Sequence, residues 1–183
     1  GENSGLKKDL KKKIKNINKS AENINLIQDE VINDKTILTN EILNKSLFNE
    51  ERIFFIEQSS DKILPLIKEI ENMLQNEKIY IFANILDRKS KLRNFFEVSK
   101  IYGSCPCYED TITTIKSIIM KKLHNYQGIT PQLVNLIIES TGLDRNKINN
   151  EVDKIISCFQ NKSIDLHKLE QLLNIKTNED FNR

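Results

Sequence analysis

Apolar residues recur at Leu6, Leu10, Ile14 and Ile17, in steps of four, four and three that lay one stripe along a helix. The other faces of that helix carry Lys7, Lys8, Lys11, Lys12, Lys13 and Lys15. The run 23–28 holds Ile24, Leu26 and Ile27 and reads as a strand. Asp34 then offers an N-cap to a helix through Ile37, Leu38 and Ile42. Arg52-Ile53-Phe54-Phe55-Ile56-Glu57 is aromatic, β-branched and almost without polar interruption, as expected of a strand buried on both faces. Pro65 suits the first turn of a helix through Ile67, Ile70 and Leu74. Lys78-Ile79-Tyr80-Ile81-Phe82-Ala83 predicts a second buried strand, 90–98 a helix, and Ile101-Tyr102 a further short strand ended by Pro106. Helix and strand thus alternate four times, the mark of a parallel sheet flanked by helices.

Beyond Pro106 only the helical period remains. The spacing predicts helices over 110–125, over the segment opened by Thr130-Pro131 and closed by Gly142, over 146–159 and over 165–173. The expected organisation is an α/β domain over 1–122 and a small all-helical domain over 123–183.

Composition narrows the function classes. The 183 residues carry 28 Lys+Arg against 26 Asp+Glu, a net charge of +2, which excludes a histone-like polycation and an acidic solvating chain. Hydrophobic residues make up 38%, a thin supply for a core, though they are spread along the whole length. No run approaches the ~18 apolar residues of a membrane span, and the lysine-rich start has no apolar leader. Three cysteines build no disulfide framework, so the expected setting is a reducing cytoplasm. The chain begins at Gly1 without Met and ends in what reads as a helix start, as expected of an interior piece of a longer protein.

Gly1-Glu2-Asn3-Ser4-Gly5-Leu6 stands just before a helix, where a nucleotidase of this architecture places its phosphate loop. A working loop needs a longer glycine-rich turn ending in Lys-Ser/Thr, so that backbone N–H groups wrap the phosphates, the lysine neutralises them and the hydroxyl holds Mg²⁺. Here Lys7-Lys8 runs into Asp9, leaving Gly1, Asn3 and Gly5 as a degenerate version. The first long strand ends in Glu57-Gln58, where an Asp-Asp or Asp-Glu pair would position Mg²⁺ and water. Both defects argue against ATP hydrolysis, and no cofactor is expected.

Cys105-Pro106-Cys107, Cys158, His124 and His167 lack the paired knuckles of a zinc site, so no metal is expected either. The pairs Glu50-Glu51 and Glu109-Asp110 read as ordinary surface acids. Residues 1–20 hold seven lysines against Glu2 and Asp9; a solvated helix face accounts for them more simply than a phosphate-binding surface. Leu47 and Phe48, two large apolar residues in a polar turn, are either a staple beneath the sheet or a peg for a partner's pocket. As pegs they would contribute roughly 1.5–3 kcal/mol each on burial.

In order and spacing these segments resemble the delta subunit of the bacterial DNA polymerase III clamp loader, over nearly all of the chain. The likeness rests on Gly1-Glu2-Asn3-Ser4-Gly5-Leu6 at the phosphate-loop position and on Lys45-Ser46-Leu47-Phe48 before the strand 52–57. It extends through Ile79-Tyr80-Ile81-Phe82-Ala83 into Leu86-Asp87-Arg88-Lys89-Ser90-Lys91-Leu92-Arg93, then Pro106-Cys107-Tyr108, Ile129-Thr130-Pro131 and the helix from Asn146. The resemblance implies an AAA+-like α/β domain and a helical lid, with a further collar domain and a strand before Gly1 that this sequence lacks. It implies a non-catalytic subunit of the polymerase III holoenzyme. Leu47 and Phe48 would bind the β sliding clamp and open it for loading onto primed DNA, beside the other subunits of a hetero-pentamer. Primer-template DNA would be met only within that complex, and no membrane. The alternatives are an ATP-binding motor or stator subunit of the same machine, or a DNA-binding module using the lysine-rich first helix.

Overall fold

A computed structural model describes residues 1–43 and 51–173. These divide into two compact units, one of Gly1–Glu2 and Leu6–Tyr108, the other of Asn3–Gly5 and the chain from Glu109 onward.

The first unit is α/β. Helix α1 (Ser4–Ile17) precedes β1 (Glu22–Ile27), α2 (Gln28–Asn33) and α3 (Lys35–Leu43). Strand β2 (Arg52–Ser59), α4 (Leu64–Ile70), β3 (Lys78–Ala83) and α5 (Lys91–Glu97) complete it, with single 3₁₀ turns on either side of α4. The sheet is parallel throughout, in the order β1-β2-β3. Its strands face helices, as the alternating sequence requires.

Strand β2 is central, and its alternate residues feed two cores. Phe54 and Ile56 join Leu26, Val31, Leu38, Ile63, Ile70 and Leu92 on one face. Ile53 and Phe55 lie on the other with Ala21, and Ile14 of α1 packs against them. All four β2 side chains are fully buried, so the doubly buried strand read from sequence is present.

Strand β3 departs from expectation. It is half-buried, because among the described residues it pairs only with β2 and forms an edge. The strand expected at Ile101-Tyr102 does not form. Ser99 Oγ accepts from the backbone N–H of Ile101 (3.1 Å) and of Tyr102 (3.0 Å), so a local turn uses the donors a ladder would need. Tyr102 stacks on Phe95 and donates its hydroxyl to Glu71 at 2.7 Å.

The second unit holds α6 (Ile112–Lys122), α7 (Pro131–Thr141), α8 (Arg145–Cys158) and α9 (Leu166–Leu172). Each begins on a side-chain cap: Thr111, Thr130, Asp144 and Asp165 accept from backbone N–H groups two or three residues on. Gly142, at φ 68°, closes α7 in a conformation that disfavours a Cβ. The expected division near residue 122 is corrected here. Ile115, Ile119 and Leu123 of α6 pack with Leu133, Ile137, Ile148 and Val152, so α6 belongs to the helical core and the units part at Tyr108/Glu109. The 3.6-residue period fixed which face of α6 is buried, but not which core receives it.

Candidate functional site

In open parallel sheets, ligands bind beyond the carboxyl ends of the strands, the end to which the phosphate-loop comparison also points. Strand β2 ends there in Glu57-Gln58-Ser59. Ile56 pairs with Ile81, yet Ser59 pairs with Ala83, so β2 carries one extra residue. Gln58 absorbs it at φ 55°. Asn84, just past β3, holds the bulge from the other side: its Nδ2 donates to the Gln58 carbonyl (3.3 Å) and its N–H to the Ser59 carbonyl (2.8 Å).

Two lysines reach this edge, and each donates to the fold itself. Lys7 Nζ donates to the Ala83 carbonyl at 2.8 Å. Lys11 Nζ forms an ion pair with Glu57 Oε1, and lies 5.0 Å from the centre of the Phe55 ring. The Gly1 nitrogen lies 3.3 Å from the Asn84 carbonyl oxygen. Lys7, Lys11 and Lys15 fall at i, i+4 and i+8 beside the apolar stripe, one helix face turned to the sheet. The sequence held that signal, but the lysines read there as solvent-facing.

The structure separates the predicted loop residues. Gly1 joins Gln58 through Asn84, as above, and it lies so close to Cys107 that a Cβ there would come within 2.1 Å of its carbonyl oxygen. Asn3 and Gly5 serve the helical unit instead. Asn3 Nδ2 donates to Asp110 Oδ2 at 2.7 Å. An added Cβ on Gly5 would stand 2.7 Å from Arg145 Cβ and 3.2 Å from the Asn146 nitrogen. The small residue at position 5 thus permits the close approach of the first turn of α8.

Asp110, expected to be a surface acid, is instead buried against Arg145. Arg145 Nε donates to Oδ2 at 2.8 Å and Nη2 to Oδ1. The guanidinium bonds, with help from Asn3, hold the Asp110 carboxyl below the ordinary aspartate range despite its burial. No motif in the sequence joined residues 110 and 145.

Leu47 and Phe48 lie outside the described residues. Leu43, the last residue of the preceding helix α3, is 61% exposed. Cys107 is buried, whereas Cys105 and Cys158 are exposed. Desolvation pushes the Cys107 thiol above its usual value. Among the described residues no group of three or more His, Cys, Asp or Glu side chains could hold a metal ion, and no helix is long and apolar enough to cross a membrane.

Chemically, the edge at Glu57 and Gln58 is closed on itself. A polyphosphate would have to take Lys7 from a carbonyl and Lys11 from a carboxylate before either could neutralise it. Glu57 meanwhile serves as counter-ion to a lysine. Compared with known proteins, the chain matches no family model and no curated protein.

Proposed function

We propose that this chain is the AAA+-like and lid portion of a clamp-loader delta subunit, a non-catalytic protein that grips a ring-shaped sliding clamp through Leu47 and Phe48 and opens it. The observation that carries the reading is the self-satisfied strand edge. The parallel β1-β2-β3 sheet, and helix α1 beginning at Ser4 within the Gly1–Gly5 segment, support that reading. Lys7, Lys11 and Glu57 are spent on one another and on the backbone. The motor or stator alternative would need those same groups free for ATP and Mg²⁺.

The separate helical unit from Glu109 supports a lid. Mechanistically, the peg needs no chemistry. A Leu-Phe pair that fits the distorted ring better than the closed one shifts the ring toward opening by its differential affinity. Burying both side chains is worth roughly 1.5–3 kcal/mol each. Neighbouring subunits that bind ATP would govern when the peg is presented, and primed DNA would be met in their company.

The test is binding of the purified chain to a bacterial β sliding clamp by surface plasmon resonance. Leu47→Ala with Phe48→Ala should weaken it at least about a hundredfold, following from about 3 kcal/mol of lost burial. Equal affinity of the double variant and the parent chain would remove the assignment.

A further inference from the structure

The motif Cys105-Pro106-Cys107 has no part in the function proposed above. It lies in the segment 103–111, which belongs to no helix or strand. Cys105 is exposed there, whereas Cys107 is 8% exposed and sits beside Gly1. The Cys107 thiol turns back along the chain and donates to the Cys105 carbonyl oxygen at 3.8 Å, so its sulfur lies against residue 105 itself. Two steps of chain span at most roughly 6.6–7.2 Å between α-carbons. Disulfides bridge α-carbons about 4.4–6.8 Å apart. Any conformer short of full extension therefore keeps this pair within bridging range.

We propose that Cys105 and Cys107 form a reversible dithiol–disulfide site whose substrate is a low-molecular-weight disulfide of the glutathione class. The exposed Cys105 reacts first. Its thiolate attacks one sulfur of the small disulfide, whose S–S bond breaks and releases one thiolate, leaving a mixed disulfide on Cys105. Cys107 gives its proton to water and attacks the Cys105 sulfur, which expels the second small thiolate and closes the Cys105–Cys107 bond. The protein gives up two electrons and two protons, and the small disulfide is reduced to two thiols. An excess of the small thiol runs both steps backward.

Burial sets the order of attack. The shielded Cys107, its thiol pushed up by desolvation, is a poor first nucleophile, yet as the resolving thiol it has only to reach its neighbour. Pro106 fixes one backbone dihedral between the two, so fewer conformers are frozen when the ring closes. The irregular backbone gives up no strand or helix hydrogen bonds in adjusting. A bond closed over so short a loop belongs with the strained, readily reduced disulfides, and the dithiol is its resting form in a reducing compartment. A metal ion is less well served, since among the described residues no third His, Cys, Asp or Glu side chain completes a site. The inference depends on neither Leu47 nor Phe48.

The test treats the full chain carrying Cys158→Ser, which leaves only this pair, with oxidised glutathione in the absence of air. Free thiols are then alkylated and intact masses are read. The chain should lose the mass of two hydrogens, take no alkyl group and stay monomeric, and reduced glutathione should restore both thiols. Peptide mapping of the unsubstituted chain should show the same Cys105–Cys107 link. Adding Cys107→Ala should halt the reaction at one glutathione on Cys105, at a rate within about twofold of the first step. Adding Cys105→Ala instead should slow any reaction at least about tenfold. Circular dichroism melts would check that every variant is folded. Retention of both thiols, arrest of the Cys105/Cys107 chain at the glutathione adduct, disulfide-linked dimers, or equal rates in the two alanine variants would each overturn the inference.

Discussion

Arg145 and Asp110, thirty-five positions apart, meet in a two-pronged contact with Nε 2.8 Å from Oδ2, and both side chains are almost wholly buried. Asn3 adds a third donor to the same carboxylate. The pair ties the start of α8 to the residues just before α6, and the small Gly5 lets α8 approach. What resembles a phosphate loop in sequence therefore works, at Asn3 and Gly5, as part of the helical unit's packing.

Removing one partner of such a pair takes from a buried charge the two-pronged counter-ion that offsets its desolvation. Asp110→Ala should cost roughly 3–5 kcal/mol of stability, read by urea denaturation, because Arg145 keeps its charge. An Arg145→Met/Asp110→Leu double variant, which removes both charges, should recover much of that loss. Equal destabilisation of the single and double variants would show that the ion pair itself is not the cause.

Gly5→Val tests the packing account of the loop directly. Its Cβ would press on Arg145 Cβ and on the α8 backbone, neither of which can swing aside cheaply. Overpacking of this kind costs about 1–3 kcal/mol, which a denaturation midpoint resolves. A valine variant as stable as the parent chain would mean that α8 yields more readily than its capped first turn suggests.

Much of this architecture was legible in the chain. The doubly apolar run around Phe54 reported a central parallel strand, and Thr130-Pro131 with Gly142 bracketed α7 to the residue, because caps and breakers act locally. The burial of β3 was overestimated for a reason outside local sequence: an edge strand and a central one can share the same apolar run, and only pairing decides between them. Ile101-Tyr102 has strand-like residues, but Ser99 offered their N–H groups a nearer acceptor. At the candidate site, the missing Lys-Ser/Thr step and the Glu57-Gln58 ending were visible. That Lys7 and Lys11 fold back onto the sheet was not, since it depends on where α1 lies over β2 and β3. Asp110 and Arg145 lie far apart in sequence and carried no spacing that would pair them.

The closed state of the strand edge predicts a null response to nucleotide. A ligand that binds only the folded state at a hundred times its Kd raises stability by about 2.7 kcal/mol. Millimolar Mg-ATP should instead leave the melting temperature unmoved. Glu57→Gln, which frees Lys11 from its counter-ion, should be the variant most able to gain a shift. A clear stabilisation of the parent chain by Mg-ATP would favour the motor or stator reading.

Asp61 supplies a pH-dependent contribution to the α/β unit. Its carboxylate accepts from Ser90 Oγ and from the backbone N–H groups of Lys91 and Leu92, both at 3.1 Å, thereby capping α5 from the 3₁₀ turn before α4. The Ser90 hydrogen bond first, then that of Leu92, lowers its pKa below the ordinary aspartate value. A carboxyl with a depressed folded pKa contributes stability that is fully present above its unfolded value of about 3.9 and is lost as the pH falls through the folded one. The Asp110 carboxyl shifts in the same direction, so both units should lose stability together in acid. Asp61→Asn should lower the melting temperature at pH 7 and flatten its dependence on pH below about 4. Carboxyl-carbon NMR titration should place the Asp61 midpoint below about 3.9; a midpoint at or above that value would mean that the cap does not favour the charged form.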